Sequence, residues 1–223
     1  MNLNNDYFVK YITHWVEANE YKQYSLYIQQ ELCWLSLDDV ITQLIEHFAV
    51  KPKQLFPTLG YYIASELLIE ILNALNYLHS HNLPIIHRDI KPQNILIKEH
   101  AQGFVKISDF GLAVLHDPKS LSHSQGRGTE RYMSPEVKSG RRYSPSADVY
   151  SLGVVIQEMF NFDINTIGKF KTNTMFDNIE EVSSDCLKGM ASQRPTCQHI
   201  LDNSNQWVLK HDDVKELIKL NEN

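Results

Sequence analysis

Hydrophobic and polar positions change their spacing along this chain, and the first part follows a strand-like pattern. Between Phe8 and Glu31 the runs VKYITHWVE and SLYIQQEL flank a polar bend at residues 19–23. This pattern predicts two strands joined by a hairpin-like connection. Two strands alone are marginal in water and leave unpaired edges. We therefore expect an incomplete sheet at this end of the chain.

From Ser36 onward the apolar residues recur at helical spacing. Ser36 and Asp39 have the spacing of a capping box, in which two side chains satisfy backbone amides at the start of a helix. Residues 51–60 contain two prolines and a glycine and predict a loop. We expect one helix on each side of this loop, with apolar faces at Val40, Ile41, Leu44, Ile45 and Phe48 and at Ile63, Leu67, Leu68, Ile71, Leu75 and Leu78.

The middle of the chain predicts two small strands and one buried helix. Short apolar runs at residues 95–97 and 104–107 lie on either side of a turn and predict strands. Residues 147–160 are apolar almost all round, which indicates a helix at the centre of a helical region. Because helices dominate and the strands are short, the expected fold class is α+β.

Length and charge restrict the choice of function. The chain has 223 residues, of which 43% are hydrophobic and 22% are charged, enough for one sizeable domain with a core. Its net charge of -6 lacks the basic character of proteins that grip nucleic acid through phosphates, so we expect no direct nucleic-acid binding. No long uncharged apolar run is found, and we expect no membrane association.

The cysteines indicate a reducing compartment. Cys33, Cys186 and Cys197 are widely separated and form no C-x-x-C pair, so neither a disulfide framework nor a zinc site is suggested. The opening MNLNNDYF lacks a basic region followed by an apolar run. We therefore expect a cytoplasmic protein.

Two short motifs carry the candidate chemistry. Residues 87–94 read HRDIKPQN, and Asp109, Phe110 and Gly111 follow. Phosphoryl transfer needs an aligned nucleophile, metal ions that bridge the phosphates, and a means to neutralise charge on the leaving oxygen. The tripeptide HRD or DFG alone is weakly specific. Their combination in this order, with SPE at residues 134–136, excludes chance.

Together these motifs resemble the eukaryotic protein kinase family, serine/threonine type, over residues 9 to about 209. The resemblance implies a protein-kinase-like fold with a mainly α-helical C-terminal lobe and a truncated β N-terminal lobe. It divides the chain into two strands and a hinge over residues 1–35, the C-terminal lobe over residues 36–210, and a helix and tail over residues 211–223. It also implies ATP and Mg²⁺ as cofactors and a protein substrate with a serine or threonine acceptor.

The same resemblance implies roles for individual residues. Asp89 accepts or orients the proton of the substrate hydroxyl, and Lys91 lies against the moving phosphate. Asn94 acts with them and, together with Asp109, holds the magnesium ions. Gly111 is expected to let the backbone turn sharply beside the metal.

For the nucleotide, the resemblance implies a binding region in the first strands and after the first motif. Gln30 falls at the gatekeeper position, and the hinge from Glu31 to Cys33 meets adenine through its backbone. Leu96 lies beneath the base. Glu31, Cys33, Leu96 and Asp109 are therefore the expected cofactor-binding residues.

The segment between the motifs and SPE resembles a kinase activation segment. Gly128 and Thr129 open its substrate-binding part, and Lys91 with Thr129 is typical of the serine/threonine class. Arg88 resembles the arginine of kinases whose activation segment is ordered by a phosphate. Candidate acceptors of that phosphate are Ser120, Ser122, Ser124 and Thr129, with turn serines and a structural threonine as the alternative.

Other residues are expected to stabilise the fold. Asp148 anchors the backbone of the first motif or, alternatively, caps the helix that begins near Ser146. Glu136 and Arg194 form a buried ion pair. Three histidines have no metal-ligand spacing and are expected to be solvated loop side chains: His79, His81 and His100.

Less distinctive residues resemble one branch of the family. FVKYITHWVE, LYIQQELC and RYMSPE are similar to the stress-responsive kinases that phosphorylate the alpha subunit of translation initiation factor two. HRDIKPQNIL and GTE also resemble the kinase-endoribonuclease of the unfolded protein response. The early strands are similar to the mitosis-inhibiting kinases as well, so the branch stays open.

The sequence contains no glycine-rich phosphate loop, strand lysine or helix glutamate before the two strands. Lys10 is expected to be an exposed lysine. We expect a severe loss of rate, an N-terminally incomplete protein, and pairing with another kinase chain through the unpaired strands. The alternative is a non-catalytic kinase-like binding module, against which Asp89, Asn94 and Asp109 argue because binding alone does not need them.

Overall fold

The computed structural model describes residues 5–101, 103–115, 129–141, 144–166, 174–212 and 214–215. The strands are β1 (Tyr11–Ala18), β2 (Tyr24–Gln30), β3 (Leu35–Ser36), β4 (Ile85–Ile86), β5 (Ile95–His100), β6 (Gly103–Ile107) and β7 (Val114–Leu115). The helices are α1 (Leu37–His47), α2 (Thr58–His79), α3 (Pro135–Lys138), α4 (Ser146–Met159), α5 (Thr174–Cys186) and α6 (Cys197–Asp202). Long helices and short strands confirm the α+β class.

Strands β1 and β2 form the predicted hairpin. They pair antiparallel, and Trp15 stacks on Tyr27 with ring centres 5.2 Å apart. Every residue of both strands is exposed, so neither face of the hairpin is covered by the described part of the chain. Lys10, just before β1, is exposed as expected and pairs with Asp6 at 3.2 Å. The hairpin therefore depends on its own cross-strand contacts and on the residues that anchor its base.

The base of the hairpin is anchored by a parallel contact with β6. The amide of Val9 donates to the carbonyl of Ile107 at 3.1 Å, and the amide of Ile107 donates to the carbonyl of Tyr7 at 2.7 Å. Phe8 between them is 3% exposed and belongs to the main core. The chain thus enters the helical core before it forms the hairpin, which the alternating pattern did not predict.

Helix α1 begins with the predicted capping box. The side chain of Ser36 accepts a hydrogen bond from the amide of Asp39, and the Asp39 carboxylate accepts one from the amide of Ser36 at 2.8 Å. Both bonds satisfy amides that have no partner within the helix. The buried residues of the helix lie on one face: Leu37, Ile41 and Leu44.

Helix α2 begins earlier than predicted, because the expected loop over residues 51–60 ends at Pro57, the N-cap position. Gly60 does not mark a turn. A Cβ at Gly60 would lie 2.9 Å from side-chain atoms of Phe48 and Phe56, so only glycine allows these rings to pack so closely on the helix. Gly60 is therefore needed for close packing, and the sequence alone could not distinguish this role from that of a glycine in a loop.

Helices α2 and α4 form the centre of the core. Several residues of α2 are fully buried, among them Leu68, Ile71, Leu72 and Leu75. Helix α4 is buried nearly all round, as predicted for residues 147–160. The hydroxyl of Tyr61 on α2 donates to the carbonyl of Trp207 at 2.6 Å and ties the far end of the chain to this core. Among the described helices, none is both long and apolar enough to cross a membrane.

The two motif loops are neighbours at one edge of this core. Strands β5 and β6 pair antiparallel with Ile95 opposite Ile107, as predicted, and β4 pairs with β7 with Ile86 opposite Val114. Residues 87–94 connect β4 to β5, and residues 108–113 connect β6 to β7. Each of these two strand pairs contains one strand next to the first loop and one strand next to the second. The pairing of the strands therefore brings the two loops together.

Candidate functional site

The backbone of the first motif is held by Asp148 of α4. Its carboxylate accepts hydrogen bonds from the amide of His87 at 2.9 Å and from the amide of Arg88 at 2.8 Å. Arg88 has a φ of 74°, a left-handed conformation that is strained for a residue other than glycine. The N-cap of α4 is Pro145, without a side-chain cap. The predicted anchoring role of Asp148 is confirmed, and the capping alternative is wrong.

The side chain of His79, the last residue of α2, is only 10% exposed, so the prediction of a solvated side chain is wrong. Its Nε2 lies 2.9 Å from Oδ2 of Asp148. Burial by itself lowers the pKa of His79, but the hydrogen bond to Asp148 and the contact with Cys197 raise the pKa to about 10. Burial would raise the pKa of Asp148, but the hydrogen bond from His79 lowers that pKa. A charged pair therefore lies beneath the loop.

Asp89 is surrounded by hydrogen-bond donors. Its Oδ2 lies 2.7 Å from Nζ of Lys91 and accepts from Nδ2 of Asn94 at 2.9 Å. Its Oδ1 accepts from the amide and the hydroxyl of Thr129 at 3.0 and 3.1 Å. Burial by itself raises the pKa of Asp89, but these hydrogen bonds, that of Lys91 first, hold the pKa below its ordinary value. The carboxylate is therefore ionised at neutral pH and able to accept a proton.

Lys91 and Asn94 complete the predicted catalytic group. Nζ of Lys91 donates to Oγ1 of Thr129 at 2.8 Å as well as pairing with Asp89. Nδ2 of Asn94 also donates to the carbonyl of Asp89 at 2.8 Å. The Lys91 side chain is 20% exposed, so the ammonium lies at the rim of the site, where a phosphate can reach it. The structure thus brings together all three residues predicted to be catalytic.

Asp109 is placed beside Asn94 through Ser108. The amide and hydroxyl of Ser108 donate to the carbonyl of Asn94 at 2.9 and 3.0 Å. Asp109 follows with a φ of 60°, and its Oδ1 accepts from the amide of Gly111 at 3.2 Å. The turn predicted at Gly111 is therefore made by Asp109. Gly111 leaves room for that carboxylate, since a Cβ there would lie 3.1 Å from Oδ1.

The oxygens of Asn94 and Asp109 suit the predicted Mg²⁺. Carboxylate and amide oxygens are ligands that Mg²⁺ accepts, and it usually takes one or two from the protein and the rest from phosphates and water. Asn94 uses its Nδ2 toward Asp89, which turns its amide oxygen the other way. Asp109 is exposed and can meet a nucleotide. The described residues contain no group of three or more His, Cys, Asp or Glu suited to a metal.

Glu31, expected at the hinge, is also the centre of a charged cluster. Its carboxylate lies 2.7 Å from Nζ of Lys98 and 3.0 Å from Nζ of Lys106, and it accepts from the amide of Lys10 at 2.9 Å. Burial raises the pKa of Glu31, but the hydrogen bonds from Lys98, the Lys10 amide and Lys106 lower it to about 2. The amide of Glu31 donates to the carbonyl of Lys10 at 2.9 Å, so the backbone here is fixed against the start of the hairpin.

The other residues expected to bind adenine lie on the connection after Glu31 and on β5. Cys33 is half-buried, and burial raises the pKa of its thiol, with the charge of Glu31 acting in the same direction. The amide of Trp34 donates to the carbonyl of Ile97 at 2.9 Å, which fixes this connection against β5 beside Leu96. Glu31, Cys33 and Leu96 thus lie on adjoining segments, and their role toward adenine stays a prediction.

Phe110 is packed between two rings beneath the Asp109 loop. It meets His87 at 4.9 Å and Phe8 at 5.6 Å between ring centres, both edge to face. Nε2 of His87 is hydrogen-bonded to the carbonyl of Ser108 at 2.8 Å. Sequence reasoning missed Phe8, because an apolar residue just before a strand reads as part of that strand. Its burial couples the start of the chain to the site.

Glu136 and Arg194 form the predicted ion pair. Nη1 and Nη2 of Arg194 donate to the two carboxylate oxygens of Glu136 at 2.6 and 2.8 Å. Arg194 also donates to the carbonyls of Lys188 at 2.8 Å and of Ser146 at 2.9 Å. Both charged groups are buried. The pair therefore stabilises the lobe behind the site.

The candidate phosphate acceptors are only partly covered by the structure. Ser120, Ser122 and Ser124 lie outside the described residues, as does Gly128. Thr129 is described, and its hydroxyl is engaged by Asp89 and Lys91. The hydroxyl of Thr129 thus has the structural role that was expected as the alternative to a phosphate acceptor.

Comparison with known proteins connects this geometry to a family. Residues 1–219 match the family described as protein kinase domain. The probable serine/threonine-protein kinase PknB of Bifidobacterium longum is 35% identical over 147 residues, 58% of this chain and 21% of that protein. Cyclin-dependent kinase-like 2 of Homo sapiens is 35% identical over 123 residues, which are 54% of this chain and 24% of that protein. Ribosomal protein S6 kinase alpha-2 of Homo sapiens is 44% identical over 111 residues, which are 48% of this chain and 14% of that protein. The chain spans a quarter or less of the length of these relatives.

Proposed function

The chain belongs to the protein kinase domain family, and from this membership we propose that it transfers the γ-phosphoryl group of ATP to a serine or threonine hydroxyl of a protein. The observation that carries the proposal is the group formed by Asp89, Lys91 and Thr129. An ionised carboxylate, an ammonium and a hydroxyl lie within 3.1 Å of one another there. Relatives named as serine/threonine-protein kinase and ribosomal protein S6 kinase support the same class.

In this proposal the carboxylate of Asp89 orients the acceptor hydroxyl and takes up its proton. Thr129 and Asn94 hold the two oxygens of Asp89 in place, so that little reorganisation is needed when the substrate arrives. Lys91 supplies positive charge at the rim of the site, where the transferred group passes. Bound ATP would supply the phosphoryl group and bound Mg²⁺ would screen its charge, and Asn94 and Asp109 are the residues that would hold the metal.

We propose the alpha subunit of translation initiation factor two, phosphorylated in stress signalling, as the first protein substrate to examine. The support is the similarity of residues 8–17, 26–33 and 131–136 to the stress-responsive kinases that act on that subunit. These residues lie in β1, in β2 with the connection that follows it, and at the start of α3, around the site.

A non-catalytic binding module is the second candidate, favoured by the exposed hairpin. Ile12, Val16, Leu26 and Ile28 are each more than half exposed, and contiguous apolar surface of this kind marks interaction sites. In this reading the chain pairs with another kinase chain through the hairpin, and Asp89 has no chemical role. The two candidates therefore differ in what a change at Asp89 does.

The test is phosphotransfer by the purified chain from ATP and Mg²⁺ to the initiation factor subunit and to a general serine- and threonine-rich protein. The variants are Asp89→Asn and Asp109→Asn, with the exposed Asp212→Asn as the matched control. We expect transfer to serine or threonine that falls by at least about a hundredfold in both site variants and is unchanged in the control. Transfer to the general protein alone would overturn only the proposed substrate.

Absence of transfer, with stability equal in all variants, would overturn the proposed kinase activity. Co-purification with another kinase chain that is unaffected by Asp89→Asn would then favour the binding module. Gel filtration of the wild type and of a hairpin variant, Leu26→Lys, separates hairpin-dependent pairing from other association.

A further inference from the structure

A thiol, an imidazole and a carboxylate from three different helices form a series of neighbouring side chains behind the site. Sγ of Cys197, at the start of α6, lies 3.7 Å from Nδ1 of His79 at the end of α2. Nε2 of His79 lies 2.9 Å from Oδ2 of Asp148 on α4. A cysteine beside a histidine whose second nitrogen is held by an acidic group is the arrangement in which cysteine side chains act as nucleophiles. None of these residues belongs to the phosphotransfer group.

A cavity opens onto this series. It has a volume of about 660 Å³ and is lined by Cys197 and His79 together with Val149, Pro195 and Thr196. This volume lies within the range of small-molecule sites. Cys197 itself is only 1% exposed. A reagent that reaches its sulfur must therefore be small and must enter through the cavity.

The charge of His79 gives the thiol a chemical role. Burial lowers the pKa of His79, but Asp148 and Cys197 raise it well above its ordinary value, so the imidazole keeps both protons at neutral pH. Nδ1 of His79, 3.7 Å from Sγ of Cys197, is therefore placed to donate to negative charge that develops on the sulfur when it forms a bond. The buried Asp148 compensates the positive charge, so the pair is stable in the interior.

We propose that Cys197 is a covalent modification site for small α,β-unsaturated carbonyl compounds that bind in this cavity. The sulfur bonds to the β-carbon of the compound, and the π electrons of the carbon–carbon double bond move toward the carbonyl-bearing carbon. Because His79 already carries both ring protons, the proton of the thiol leaves to solvent, and a proton from solvent ends on that carbon. One S–H bond and one π bond are replaced by one S–C bond and one C–H bond, so no oxidant or reductant takes part.

The modification site is coupled to the first motif through Asp148. The same carboxylate that pairs with His79 accepts the amides of His87 and Arg88. A group added to Cys197 occupies the space beside the His79 ring and weakens the contact of that ring with Asp148. The strained backbone of Arg88 then loses part of its support. Modification in the cavity therefore loosens the loop that carries Asp89.

The test is labelling of the native wild-type chain with N-ethylmaleimide, followed by peptide mapping that reads each cysteine separately. Cys186 is the reference for an unactivated thiol, since it is fully buried and burial raises its pKa to about 12. Cys33, half-buried near the hinge, reports general access of the reagent. We expect Cys197 to react at least about tenfold faster than Cys186. Equal rates at Cys197 and Cys186 would overturn the site.

A His79→Gln variant tests the role of the imidazole. We expect labelling of Cys197 to slow by about tenfold or more, with the rate at Cys33 unchanged. An unchanged rate at Cys197 would overturn the assignment of His79. If this variant does not fold, the comparison of the three cysteines in the wild type decides the proposal by itself.

Coupling to the first motif is read by hydrogen exchange of the backbone amides of His87 and Arg88. We expect both amides to exchange faster after labelling of the wild type. A Cys197→Ala chain treated with the same reagent is the control and should show no change. Equal exchange before and after labelling of the wild type would overturn the coupling. This readout does not depend on phosphotransfer, so it stays separate from the proposed kinase activity.

Discussion

Thr129 donates both its backbone amide and its hydroxyl to Oδ1 of Asp89, at 3.0 and 3.1 Å. The two residues are 40 positions apart in the chain. The same hydroxyl accepts from Nζ of Lys91 at 2.8 Å, so one small side chain connects the carboxylate and the ammonium of the site. The position of Asp89 thus depends on the segment that leads to α3 as well as on its own loop.

Replacing the hydroxyl of Thr129 should lower phosphotransfer. In Thr129→Val the backbone amide still donates to Asp89, but the hydrogen bonds of the hydroxyl to Asp89 and Lys91 are lost. A hydrogen bond to a charged group is worth about 1.5 to 3 kcal/mol, so we expect kcat to fall by about ten- to a hundredfold. Thr129→Ser is the matched control and should stay within a few fold. Equal rates in the valine and serine variants would contradict this role.

Nucleotide binding should depend on the charge of Asp109. A ligand that binds only the folded chain raises its melting temperature, so ATP with Mg²⁺ should produce a shift that ATP with EDTA does not. Asp109→Asn keeps an oxygen for the amide of Gly111 but removes the negative charge, and we expect the shift to disappear. The surface variant Asp212→Asn should retain it. A metal-dependent shift in Asp109→Asn would show that the metal is held elsewhere.

Breaking the ion pair between Glu136 and Arg194 should destabilise the fold without altering the chemistry. Glu136→Gln leaves the buried guanidinium without its counter-charge, for which we expect a loss of about 3 kcal/mol in the free energy of unfolding. The exposed pair of Asp185 and Lys188 is the comparison, and Asp185→Asn should change the free energy by less than about 1 kcal/mol. Urea unfolding measures both. Similar losses in the two variants would show that burial does not strengthen the inner pair.

The cluster around Glu31 should make stability depend on pH in the acid range. The pKa of Glu31 is lowered from 4.5 to about 2, so its contribution is fully present above pH 4.5 and is lost as the pH falls through about 2. In Glu31→Gln the buried ammonium of Lys106 loses its counter-charge. We expect this variant to be less stable than the wild type at pH 7, with a difference that shrinks below pH 4.5. Urea midpoints at pH 7, 4.5 and 3 measure it, and a constant difference would contradict the assignment.

Regular spacing made most of the helices and strands predictable. The apolar period of residues 40–48 and 63–78 indicated α1 and α2, and the capping box at Ser36 marked the start of α1 within the sequence itself. Asp89, Lys91 and Asn94 were predictable as a group because they lie within six consecutive positions of one loop. The start of α2 was misplaced, since a glycine that allows two aromatic rings to pack closely looks the same in sequence as a glycine in a turn.

The sequence by itself determined the local elements, the two motif loops and the residue types available for phosphoryl transfer, because period, caps and motif order act over short stretches of chain. Only the tertiary structure decided how His79 and Lys106 are paired. His79 and Asp148 are separated by 69 positions, and Lys106 is buried against Glu31 on a different segment. Burial and charge pairing arise when elements pack, and the energy of a buried charge depends on its partner in space and not on its neighbours in sequence.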